Sequence, residues 1–197
     1  MRLSSIFKSG LLAALFTITL NATVIDNANI LSVPVKDKLD TIGLELQTKT
    51  GIKFDLITFA KLDGQKLEFL IEPYIKDPSY VVLALVPKEL GAKSGKVDIF
   101  GSNDALKLFD KEAVLSPYPE SGSIIPILVS KKETDIYNAA MLNGYADVAD
   151  RIASSKGVKL ESSIGNSNRD TINILRYLIY GSIILVIVVF MIRKFKR

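Results

Sequence analysis

Asp26, Asn27 and Asn29 stand close together in the stretch "TVIDNANILSVP", Thr23–Pro34. Carboxylate and amide oxygens at that density are what a hard divalent cation, Ca²⁺ or Mg²⁺, takes as ligands. A second oxygen-rich run, Ser102-Asn103-Asp104, follows the apolar stretch ending at Gly101, and Asp110 comes soon after. Asp26, Asp104 and Asn103 are therefore the leading candidates for a metal site. Asn27, Asn29, Ser102 and Asp110 are secondary ones. An ion held there would bind a phosphate group and polarise a water for hydrolysis. Each run also has a purely structural reading: Asx hydrogen bonds in a turn for Asp26 and Asn27, and a helix cap for Asn103 or Asp104. A third set, Asn143, Asp147 and Asp150, recurs at i, i+4, i+7 and shares one helix face, read as solvated. The loop "LSPYPESGS", Leu115–Ser123, presents Tyr118 and Glu120 either as an ordinary turn or as a partner-binding loop.

The chain has 197 residues and neither histidine nor cysteine. Those absences exclude a Ser-His-Asp triad, a thiol nucleophile and a His/Cys zinc site. After residue 22 no P-loop, dinucleotide fingerprint, G-x-S-x-G or EF-hand loop occurs. Carboxylate, hydroxyl, amide and lysine chemistry survive, with Mg²⁺ or Ca²⁺ as the metals that oxygen ligands suit; no catalytic residue can be assigned. The formal net charge is +4. That excess sits in the first and last stretches, and acidic residues slightly outnumber basic ones between Thr23 and Asn168. Nucleic-acid binding, which needs a basic face, is not expected.

The elements that would position these groups follow from periodicity. Val24–Ile25 opens a strand. Ser32 is placed to cap a helix, with Pro34 in its first turn, where a missing N–H costs little. Val35, Leu39, Ile42 and Leu46 repeat at helical spacing, and Gly51 closes that helix. "IKFDLITF" (Ile52–Phe59) and "YVVLALVP" (Tyr80–Pro87) read as strands, the second apolar throughout and so buried on both faces. A short helix over Lys66–Glu72 joins them as a crossover, which makes them parallel. Val97–Gly101 returns as a hairpin partner. A short helix near Ala105–Phe109, a helical "IIPILV" (Ile124–Val129) and a long helix from Glu133 to about Ser155 complete an α/β layered domain with a mixed sheet. Gly144 interrupts the long helix, and a close packing contact is the expected reason.

The termini suggest export and anchoring. Residues 1–22 read as a signal peptide. The uncharged run Tyr177–Ile192, extended back to Ile174, predicts one transmembrane helix over Ile174–Ile192. Residues 193–197 form a basic tail, placed inside the cell by the positive-inside rule. The expected order is signal peptide 1–22, ectodomain 23–160, polar linker 161–173, transmembrane helix 174–192 and cytoplasmic tail 193–197. The ectodomain would then be periplasmic on a single-pass membrane protein, with the lipid bilayer as a partner.

The motifs "VIDNANILS" (Val24–Ser32), "TGIKFDLITF" (Thr50–Phe59), "YVVLALV" and "KVDIFGS" resemble those of the TPM domain family, over most of Thr23–Gly157. The resemblance implies an α/β three-layer sandwich, a central mixed β-sheet flanked by helices. It also implies acid phosphatase activity, Ca²⁺ binding or maintenance of a membrane protein complex, according to the member. Asp26 matches the family's entry aspartate, and Asp110 stands where an aspartate follows its glycine motif. Ser102-Asn103-Asp104 replaces a second glycine of that motif. The resulting expectation is a membrane-tethered accessory factor for a membrane or envelope protein complex. The alternatives are a divalent-metal-dependent acid phosphatase and a Ca²⁺-binding structural domain.

Overall fold

The computed structural model describes residues 23–88, 94–130 and 135–164, together with 180–185, 187–188 and 190–192. Four strands, β1 (Val24–Asp26), β2 (Lys53–Thr58), β3 (Tyr80–Val86) and β4 (Lys96–Gly101), form one sheet in the order β1-β2-β3-β4. The first three run parallel and β4 returns antiparallel to β3. The helices are α1 (Val33–Thr50), α2 (Leu67–Ile71), α3 (Asn103–Leu106), α4 (Lys111–Val114), α5 (Ile125–Leu128) and α6 (Ile136–Ser155). Pro34 lies in the first turn of α1, and Gly51 ends that helix with φ 74°, the left-handed conformation that glycine adopts without penalty.

Strand alternation divides the core. Phe54, Leu56, Val81, Leu83 and Leu85 face α1 and α6, and this larger layer buries Leu39, Ile42, Leu46, Tyr145 and Ile152. Ile57, Val82, Ala84 and Val86 face the other way, where Leu67 and Ile71 of α2 cover them. The connections from β1 to β2 and from β2 to β3 advance in the same direction across the sheet but pass over opposite faces. Two such crossovers have opposite hands. One of them therefore departs from the right-handed rule, which about 98% of parallel connections obey.

Two glycines let helices approach. A Cβ on Gly43 would lie 2.3 Å from the Tyr145 hydroxyl and 2.7 Å from the Thr23 methyl. A Cβ on Gly144 would lie 2.2 Å from Ile124 Cγ1, so α6 carries glycine where Ile124 packs against it. Tyr145 stacks on Phe54 with ring centroids 4.0 Å apart and donates its hydroxyl to the Phe54 carbonyl at 2.6 Å. That pair pins α6 to the centre of the sheet.

The expected transmembrane helix is corrected. Among the described residues no helix is long and apolar enough to cross a membrane. Residues 174–179, 186 and 189 of that stretch lie outside the described residues. The bilayer contact through Ile174–Ile192, the single-pass periplasmic placement and the envelope partner lose the segment on which they rested. The expected signal peptide 1–22, most of the linker (165–173) and the tail 193–197 also lie outside the described residues.

Candidate functional site

The loop after β1 is built around Asp26. Thr58 at the end of β2 donates its hydroxyl to Asp26 Oδ1 at 2.5 Å, and the Ile30 N–H reaches the same oxygen at 3.3 Å. The Leu31 N–H donates to Oδ2 at 2.9 Å. Thr58 Oγ1 in turn accepts from the Ala28 N–H at 3.1 Å. Asn29 takes a left-handed φ of 52°, a conformation asparagine tolerates. Asn27 donates its amide to the Tyr74 hydroxyl at 3.2 Å. The carboxylate thus satisfies backbone donors that lead the chain into α1, and both its oxygens are engaged.

Asp104 is elsewhere. The pairing Asp26↔Thr58, Thr58↔Leu85 and Leu85↔Val97 aligns one end of the sheet. Gly101, just before the Ser102 loop, pairs with Val81 at the other end. Strand spacing and rise place the two loops about 20 Å apart. The Asp104 side chain is 94% exposed and pairs with Lys107 at 3.3 Å. Asn103 opens α3, and Ser102 stands at its N-cap position. Asp110 caps α4, accepting from the Ala113 N–H at 3.0 Å. The expected Ca²⁺ or Mg²⁺ site is therefore corrected: among the described residues no group of acidic side chains is placed to hold a metal ion. Metal-assisted phosphatase chemistry and calcium binding fall with it.

The expected solvated row on α6 is also revised. Asp147 is 1% exposed and pairs with Arg151 one turn on, at 3.0 Å. Asn143 bonds back to the Ala139 carbonyl, and Asp150 accepts from the Ser163 hydroxyl. Only the partnered, sequestered Asp147 departs from the solvated reading; the helical spacing itself holds.

Two charge centres, one buried and one half-buried, lie outside the sequence-based expectations. Asp55 lies on the α2 face of β2, 5% exposed, with Lys53 Nζ 3.4 Å from Oδ2 and 3.5 Å from Asp77. Burial pushes the Asp55 carboxyl up to about 6, and the neighbouring Lys53 only partly opposes it. Glu45 on α1 binds the chain as it leaves α6. It accepts from the Glu161 and Ser162 N–H groups at 2.8 Å each and pairs with Lys49 at 2.7 Å. Burial pushes the Glu45 carboxyl up, but these donors outweigh it and hold the group down at about 2.

A cleft of about 860 Å³ lies at the carboxyl end of β3. Its walls come from both sides of the sheet. Leu85 and Val97 belong to the α6 side, and Val86 and Phe100 to the α2 side. Leu67 of α2 closes one flank, and Ile125, Leu128 and Val129 of α5 with Ile136 and Tyr137 of α6 close the other. The Lys88 N–H donates to the Tyr137 hydroxyl at 3.3 Å, tying the end of β3 to the start of α6. Val129, at the rim, is 68% exposed. Open sheets bind ligands beyond the carboxyl ends of their parallel strands. This cleft occupies that position, and the Asp26 loop lies at the same end, toward the β1 edge. The cleft escaped the sequence reading because its walls come from distant segments. The local signal was Pro87-Lys88, where an apolar strand meets a cation at the sheet's ligand-binding end.

Fold and cleft together define an α/β domain with a four-stranded mixed sheet. The fold is similar to the N-terminal domain of a protein from P. gingivalis determined by solution NMR. The TM-score is 0.55 at 14% identity, over 71% of this chain and 87% of that one. Identity at that level shows a shared fold alone. No protein-family model matches the chain, and no curated protein matches it in sequence. The resemblance to the TPM domain family is thereby overturned, and the accessory and phosphatase roles it implied are not carried further.

Proposed function

We propose that the domain is a binding module whose ligand is a small apolar or amphiphilic molecule seated in the cleft at the carboxyl end of β3. The unit would span residues 23–160. One observation carries the reading: a cleft of about 860 Å³ with aliphatic and aromatic walls at the sheet's ligand-binding end. Small-molecule sites have about 300–1,000 Å³ and mostly apolar linings with a few polar groups. Tyr137 and the lysines at the rim supply such polar groups.

The test is a fluorescence titration of the full-length chain with N-phenyl-1-naphthylamine, a neutral apolar probe. Saturable binding is expected, weakened at least about tenfold by Val129→Asp, as a desolvated carboxylate beside an apolar ligand would cause. Val129 is exposed, so the substitution leaves the fold intact, which circular dichroism checks. Absence of saturable binding, or binding indifferent to Val129→Asp, overturns the proposal.

A further inference from the structure

Lys66, Lys88 and Lys96 all line the cleft, and each comes from a different segment. Lys66 precedes α2, Lys88 follows β3, and Lys96 opens β4. None of the three forms an ion pair among the described residues, whereas Lys49, Lys53, Lys61, Lys107 and Lys111 each pair with a carboxylate. Among the described residues two acidic ones share the lining, Glu68 and Asp98. Asp98 is already neutralised: its Oδ1 lies 2.7 Å from Lys111 Nζ and accepts the Ile99 N–H at 2.7 Å. Among the described residues of the lining, three lysines therefore stand against one uncommitted carboxylate, Glu68, around an apolar floor.

The same Asp98 contact selects the kind of occupant. β4 is an edge strand. Ser102 donates its N–H inward to Tyr80, so by alternation the Ile99 N–H points outward. Asp98 takes that donor, which blunts the edge for strand addition by a peptide. A compact ligand suits the cleft better than an extended chain.

We propose, resting on the binding-module reading above, that the ligand is an amphiphile with an anionic head, its apolar body on Leu85, Val97 and Leu128 and its carboxylate or equivalent anion read by Lys66, Lys88 and Lys96. The lysines supply orientation and discrimination, because exposed ion pairs are individually weak and add up only when several converge on one group.

The experiment compares decanoate, decyltrimethylammonium and decanol, each as monomer at low ionic strength, by calorimetric titration of the full-length chain. Decanoate is expected to bind at least about tenfold more tightly than the cation, with decanol between them, and added salt is expected to shrink the gap by screening. The triple variant Lys66→Gln, Lys88→Gln, Lys96→Gln should erase the preference for decanoate over decanol. Equal affinity for decanoate and decanol, or a preference that survives in the triple variant, overturns the anionic head while leaving the cleft reading standing. Failure of all three to bind overturns both. Dimers in sedimentation equilibrium that Val129→Asp dissolves would assign the cleft to a second copy of the chain and overturn the small ligand.

Discussion

Lys53 Nζ lies 3.4 Å from Oδ2 of the buried Asp55, while Asp55 Oδ1 has no hydrogen-bond partner among the described residues. The pair is half-satisfied. Lys53 divides itself between Asp55 and the more exposed Asp77, so the ionised Asp55 is incompletely compensated. A buried carboxylate in that condition favours its neutral form.

The consequence is a stability that falls as pH rises. The carboxyl is raised from 3.8 to about 6 in the folded chain, so the native state holds a proton that the unfolded state has released. The resulting stabilisation is complete below pH 3.8 and lost as pH passes about 6. Its full size is up to about 3 kcal/mol, from about 1.4 kcal/mol per unit. Asp55→Asn should flatten this slope and be more stable than the wild type at pH 8. Urea denaturation between pH 4 and pH 8 measures it, and parallel curves for the two proteins would refute it.

Gly43 should tolerate no side chain. Gly43→Ala drives a methyl into the Tyr145 hydroxyl and the Thr23 side chain, which should cost about 1–3 kcal/mol as overpacking. Tyr145→Phe removes the nearest clashing atom. In that background the alanine should cost measurably less, and strict additivity of the two substitutions would show that the clash is not what costs stability.

Asp26 should behave as a structural anchor. Asp26→Ala leaves the Thr58 hydroxyl and the Ile30 and Leu31 N–H groups without their acceptor. About 2–4 kcal/mol of stability should be lost, the range for donors stranded by removal of a charged acceptor. Neither Ca²⁺ nor Mg²⁺, nor a chelator, should move the Tm of wild type or variant. A calcium-dependent rise abolished by Asp26→Ala would reinstate a metal site.

Glu45 should stabilise the chain beyond α6 at neutral pH. Its carboxyl is held at about 2 against 4.5 in the unfolded chain. The contribution is therefore present above pH 4.5 and lost as pH falls toward 2. Glu45→Gln should cost about 1–2 kcal/mol at pH 7, with the difference from wild type closing in acid. A gap that stays constant with pH would mean that the carboxylate charge is not what matters.

The architecture was legible where local pattern and tertiary role coincide. Leu39, Ile42 and Leu46 announce the buried stripe of α1, and the unbroken apolar run of β3 announces a central strand. Gly144 had its packing reason in Ile124. The site was less legible. The hairpin expected at Val97–Gly101 already implies that Ser102–Asp104 lies at the opposite end of the sheet from Asp26. The expectation that both oxygen-rich runs sit at the same sheet edge is what this pairing overturns. The i, i+4, i+7 row on α6 shows that Asn143, Asp147 and Asp150 share a face, but periodicity cannot say which part of it is buried. Asp147 goes inward because Arg151 follows one turn later and is sequestered with it. The cleft has no local signature: its walls lie on α2, β3, β4, α5 and α6 and meet only on folding.

The two crossovers of opposite hand leave the sheet clad unequally. An 18-residue and a 20-residue helix cover one face, and a five-residue helix covers most of what is buried on the other. The second layer is the cheaper to peel away, so the molecule has a hard side and a soft side. Leu67 and its neighbours on the soft side also form a flank of the cleft. A partial opening of α2 would widen the cleft while α1, α6 and the strands stay folded. Amide exchange should reveal it as protection lost from Phe69 and Leu70 well before Val148 and Ala149, and uniform exchange across both layers would exclude it. Entry to the cleft would then be governed by a local unfolding equilibrium, with no hinge required.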